Sequence, residues 1–137
     1  MTEEFGVKQE AKLLKLLSEI FTETEERYSE EEAKELPYIC CMDPANVCMM
    51  VFKSERARML GRRFARKDCK LPELIYVDSK PSVSAYSMEY LSKIMKIFDE
   101  VDEAVILKVR NDFPLSIESK SEFKDFMFVL APRVDNG

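Results

Sequence analysis

The chain has 137 residues, 46% hydrophobic and 34% charged, with a formal net charge of −5. That length holds one core and leaves little room for a second, and the apolar share excludes wholesale disorder. No apolar run nears the roughly 18 residues a membrane span needs; the acidic start MTEEFGVKQE also lacks a secretory pattern, so a cytoplasmic protein without a membrane partner is expected.

Catalytic chemistry has little to work with. There is no histidine, which removes the commonest general base and metal ligand. The chain has no G-x-S-x-G, no Walker-type loop and no G-x-G-x-x-G. Cys40, Cys41, Cys48 and Cys69 form no C-x-x-C pair, so they read as small buried hydrophobes of a reducing compartment rather than zinc ligands or a disulfide framework. No enzyme, metal or cofactor is expected. One glutamine and three asparagines beside many Lys and Glu lean toward a heat-adapted source.

Along the chain, charge comes in blocks. Residues 1–35 hold eleven acids against five bases; residues 53–70 hold eight bases against Glu55 and Asp68. The first predicted element, over 9–21, is a helix: Leu13, Leu14, Leu17, Ile20 and Phe21 form one stripe, with Lys8, Lys12 and Lys15 opposite. A Glu-rich segment follows and must end by Pro37. PYICCMD and VCMMVF, joined through Asp43, Pro44 and Asn46, read as a β-hairpin. The basic block comes next, its helicity weakened by Gly61. Short strands are expected at 74–77 and 82–86. Ser87 is placed to cap a second helix over 88–98, with Met88, Leu91, Ile94, Met95 and Phe98 on its apolar side. Three strands close the chain, at 104–110, 114–118 and 123–131.

With a further strand before the first helix, the order reads as two β-α-β-β units in tandem. The expected fold is α+β, an antiparallel sheet with two helices on one face.

The stretches YSMEYLSKIMKIF, VILKVRNDFPLSIE and FMFVLAPRV carry a pattern. Together they resemble the C-terminal end of DNA sliding clamps of the proliferating cell nuclear antigen family. The closing L-A-P-R-V, the Y-x-x-x-Y-L helix start and the D-x-P-L turn carry the likeness. AKLLKLLSEIF and CMDPANVCMMVF are similar to the first clamp repeat. The resemblance covers 82–134 and 9–52, with 53–81 a basic connector without counterpart. It implies a half-length, archaeal-type homologue: one clamp-like domain over 1–137 in place of two per subunit.

What the resemblance implies about function is topological. Clamps encircle duplex DNA, touch its phosphates without reading bases, and hold replication and repair proteins on it. Lys12, Lys15, Lys93 and Lys96 would face the DNA; they read equally as the solvated face of any amphipathic helix. Met42, Val47, Pro114, Val129, Ala131, Pro132 and Val134 match the family's partner pocket, though an ordinary core or edge would keep them too. With the family's connector missing, that pocket is expected to lack one wall. Arg62, Arg63 and Arg66 of the basic block are a second candidate DNA contact; alternatively they offset the acids of 23–35. Expected partners are duplex DNA, further copies of the chain (dimer to hexamer), clamp clients, or a full-length clamp that the chain would regulate.

Overall fold

The computed structural model describes residues 7–76, 85–101, 104–119 and 126–133. Leucine periodicity sets the first element, α1 (Val7–Ser18), with Leu13 and Leu17 fully buried. Beyond its end Ile20 and Phe21 stay buried, their amides both donating to the Leu17 carbonyl.

The Glu-rich segment forms a helix of only six residues, α2 (Glu30–Glu35). A helix so short is unstable alone, and both its ends are held. Ser29 Oγ accepts from the Glu32 amide at 3.0 Å, while Glu32 Oε1 accepts from the Ser29 amide at 2.9 Å. This reciprocal pair satisfies two orphan donors. At the other end Arg58 Nε donates to the Ala33 carbonyl at 2.6 Å and Nη2 to that of Lys34 at 3.2 Å. A cation against the negative end of a helix is favoured by the helix dipole.

The hairpin forms as the turn residues predict. Its strands β1 (Ile39–Met42) and β2 (Cys48–Phe52) pair antiparallel, Ile39 opposite Phe52 and Met42 opposite Met49. Asn46 takes the left-handed φ of 59° that the tight connection needs. Ser54 then caps α3 (Glu55–Gly61), accepting from the Ala57 amide at 3.1 Å. Gly61 is the last residue of that helix. A Cβ there would lie 2.4 Å from the Phe52 ring, so only glycine lets the helix end rest on this buried side chain.

The second predicted helix is α4 (Met88–Val101), a few residues longer than its stripe suggests, and β3 (Val105–Lys108), β4 (Leu115–Ser119) and β5 (Phe126–Leu130) follow. All pairings are antiparallel, in the order β1-β2-β5-β4-β3. The first hairpin therefore lies beside the last strand, and both halves of the chain share one sheet.

The fold is a small α+β domain with five strands and four helices among the described residues. Two helices were expected; α2 and α3 are additions, made possible by their serine caps and by Arg58. The strand expected before the first helix lies outside the described residues. Residues 74–76 of another expected strand are unpaired, and 77 lies outside; of 82–86, 82–84 lie outside and 85–86 form no strand.

Residues sharing a register across the sheet share a face. On one face Phe52, Phe126, Phe128, Leu130 and Ile117 meet α1 and α4 in the main core. Phe128 lies at its centre, stacked on Phe21 at 6.4 Å and edge-on to Phe98 at 5.6 Å. The other face carries Cys40, Met49, Val51, Met127 and Val129, covered by Leu71 and Leu74. Leu74 thus lies over the sheet rather than within it, while Ile75 is exposed, and side chains hold the segment. Tyr76 Oη donates to the Pro114 carbonyl at 2.7 Å, and Arg110 Nη1 to that of Ile75 at 3.2 Å. Among the described residues, no helix is long and apolar enough to cross a membrane.

Candidate functional site

The helix pair carries the first candidate surface. Gln9 Nε2 donates to the Glu100 carbonyl at 2.9 Å, and Lys93 Nζ donates to that of Glu19 at 3.4 Å. The start of α1 thus meets the end of α4 and the reverse, so the two run antiparallel. Lys12, Lys15 and Lys96 are exposed, turned away from the core, on the middle turns of this pair. Lys93 differs. It is half-buried and bridges the helices, pairing also with Glu89 Oε1 at 3.4 Å. Glu10, Glu19, Glu89 and Asp99 are exposed on the same two helices or their ends, so the surface carries lysines without being strongly basic.

The arginines of the basic block are engaged with the chain itself. Arg62 Nε donates to the Tyr28 carbonyl at 2.9 Å and its Nη1 lies 3.7 Å from Glu30. Arg63 lies 3.9 Å from Glu23, and Lys67 lies 3.5 Å from Glu32. Arg66 grips Asp68 with two nitrogens, at 3.1 and 2.9 Å, and this holds the Asp68 carboxyl below its usual range. Arg62, Arg63 and Lys67 thus lie against acids of 23–35, whereas Arg66 pairs within its own block. Exposed pairs of this kind are worth about 0.2–1 kcal/mol each, little enough for phosphates to displace them.

Of the predicted pocket residues, Met42 and Val129 share one face of the sheet, whereas Val47 packs against the main core on the other. Met42 faces Met49, Met49 faces Val129, and Val129 faces Ser116, one row across four strands. The Ala131 amide donates to the Val47 carbonyl at 2.8 Å, and Pro114 and Pro132 are half-buried. Val134 lies outside the described residues. Met49, the link between Met42 and Val129, was not singled out from the sequence; its alternation with Val51 in VCMMVF was the available signal. Leu71 and Leu74 pack over this face of the sheet. Beside it opens a cleft of about 230 Å³ lined by Met42, Asn46, Met49, Arg66, Cys69 and Lys70, among others.

Both tyrosines of the Y-x-x-x-Y-L pattern fasten loops. Tyr86 Oη donates to the Phe113 carbonyl at 2.7 Å, inside the D-x-P-L turn. Tyr90 Oη donates to Asp43, which is 1% exposed. The Asp43 carboxylate also accepts from the amides of Val47 at 2.6 Å, Cys48 at 2.8 Å and Ala45 at 3.2 Å. One carboxylate therefore shapes the hairpin turn and ties it to α4. Sequence reading recognised Asp43 as a turn former only.

This contact makes the fold sensitive to strong base. The hydrogen bond to Asp43, then burial, raises the Tyr90 phenol to about 12. Burial, then nearby Tyr86, raises Tyr76 to about 12 as well. A raised phenol favours the folded state while it stays protonated. That contribution is complete below pH 10, the ordinary value, and disappears as pH rises toward 12. Urea midpoints should fall between pH 10 and 12, and Tyr90→Phe should shrink the fall. A midpoint unchanged between pH 10 and 12 would contradict the tyrosine contacts.

No known family, no curated protein and no solved structure matches the chain. Among the described residues, no group of three or more His, Cys, Asp or Glu side chains could hold a metal ion.

Proposed function

We propose that this protein is a single-domain homologue of DNA sliding clamps. It is a non-enzymatic scaffold that self-associates and touches duplex DNA through phosphates, keeping replication and repair proteins near it. The observation that carries this reading is the antiparallel helix pair over one face of a continuous sheet, with Lys12, Lys15 and Lys96 turned away from the sheet. Phosphate contacts from flexible lysines bind without base readout and permit sliding. Beside the covered row of Met49 and Val129, the cleft lined by Met42, Asn46 and Arg66 is the place for client peptides, away from DNA.

Self-association is supported by the sheet's ends. β3 is a terminal strand, and Ile106, Leu107 and Val109 beside or within it are 40%, 56% and 40% exposed. An apolar terminal strand is a template for pairing with another chain. At the other end, the Arg66 amide donates to the Cys40 carbonyl at 3.0 Å, so the outer edge of β1 is partly occupied. A closed ring needs two complementary edges per copy, whereas a two-fold dimer needs one. This asymmetry favours a second reading: a regulatory protein that adds its β3 edge to a full-length clamp or captures its clients.

Light scattering on the 16.0 kDa chain separates these readings. A multimer of up to six copies, retained on or stabilised by duplex DNA, is the expected result for the scaffold. A monomer that binds no DNA but co-elutes with the host's clamp would replace it with the regulator. A monomer that does neither would overturn both.

A further inference from the structure

Strand geometry sorts the four thiols. Cys40 and Cys41 are neighbours on β1, so their side chains leave opposite faces of the sheet. Cys41 joins Cys48 in the main core, and both are buried. Cys40 turns to the other face. There its Sγ donates to Sγ of Cys69 across 3.0 Å, between residues 29 positions apart. Cys40 is 1% exposed, whereas Cys69 is half-buried and borders the 230 Å³ cleft. Arg66, Lys70 and Asp68 share that cleft, two cations against one carboxylate. A reagent can therefore reach Cys69 directly, and Cys40 only through Cys69.

We propose that Cys40 and Cys69 form a redox-active dithiol that reacts with small anionic disulfides, and that its oxidation clips residues 66–74 to the edge of the sheet. Nothing in this chemistry depends on DNA or on self-association.

The two sulfurs have distinct roles. The hydrogen bond from Cys40 holds the Cys69 thiol below its ordinary range; Arg66 and Lys70 add to this, against burial and Asp68. Cys40 moves the other way, raised by the same hydrogen bond and by burial. Cys69 is thus the attacking thiolate. It attacks one sulfur of the incoming disulfide, forming a mixed disulfide and releasing one thiolate. Cys40 then gives up its proton and attacks Cys69 Sγ, expelling the second thiolate. The two protons lost by the protein pass to the two released thiolates. Two protein thiols become one disulfide while the external disulfide is reduced to two thiols.

The test incubates the full folded chain with oxidised and reduced glutathione at varied ratios, traps free thiols with iodoacetamide, and maps the peptides by mass spectrometry. The expected product is an intramolecular Cys40–Cys69 link, with Cys41 and Cys48 alkylated only after unfolding. Closing that loop should raise the thermal midpoint by roughly 5–10 °C. Cys40→Ser should stop the reaction halfway, leaving glutathione on Cys69, and Cys69→Ser should leave Cys40 unreacted. A link mapped to other cysteines, a link between chains, or a wild-type chain in which glutathione stays on Cys69 beside an alkylatable Cys40 would each overturn the proposal. So would a folded chain that does not react at all.

Discussion

Asp43→Ala is expected to lower the stability of the fold by about 3–4 kcal/mol, a drop in thermal midpoint on the order of 10 °C. The carboxylate is buried and accepts from three backbone amides as well as the Tyr90 hydroxyl. Alanine keeps none of these acceptors, and the Cys48 amide is left in a fully buried setting. A buried donor without a partner costs about 1–3 kcal/mol, and bonds to a charged acceptor are the stronger kind. Asp43→Asn retains one oxygen and should lose roughly half as much. Tyr90→Phe removes only one bond, from a half-buried hydroxyl, and should cost about 1 kcal/mol. Because the two residues share that bond, the double variant Asp43→Ala with Tyr90→Phe should cost less than the two singles together. Denaturant unfolding of the four variants measures all of this. An Asp43→Ala midpoint within error of wild type would show that the carboxylate does not organise the turn.

The elements that announced themselves in the sequence are those whose stability is local. Leu13 and Leu17 at helical spacing, the alternation of Phe126, Phe128 and Leu130, and the Asp43–Asn46 turn each state a period or a turn geometry within a few residues. The elements that stayed hidden depend on distant partners. α2 has too few residues to show a period, and Arg58, which holds its end, comes 25 positions later than Ala33. Residues 74–76 have strand-like composition, but a period of two does not say whether a segment pairs at an edge or lies across a face. The candidate site divides in the same way. Lysines opposite an apolar stripe must be exposed, and Lys12, Lys15 and Lys96 are. That Lys93 bridges two helices, that Arg62 and Arg63 answer Glu30 and Glu23, and that Cys40 meets Cys69 all depend on tertiary contacts, which no local pattern encodes.

Reversing Lys12, Lys15 and Lys96 together to glutamate should reduce affinity for duplex DNA roughly a thousandfold at about 50 mM salt, if these ammonium groups meet phosphates. Each phosphate contact releases about one counterion, so the slope of log affinity against log salt should also flatten by about three. Lys93 is left intact because it joins α1 to α4; the three chosen side chains are exposed, so the fold should survive the exchange. The matched comparison is reversal of Arg62, Arg63 and Arg66. Their carboxylate partners compete with DNA for the same guanidinium groups, so this variant should lose less affinity than the lysine variant and change the slope less. Electrophoretic mobility or fluorescence anisotropy with a non-specific duplex, repeated over a salt series, reads both quantities. If the arginine variant loses binding and the lysine variant does not, DNA lies against the basic block and the helix pair is an ordinary solvated surface. If the wild-type chain binds no duplex even at low salt, phosphate contact plays no part in what this protein does, and its open β3 edge becomes the surface to pursue.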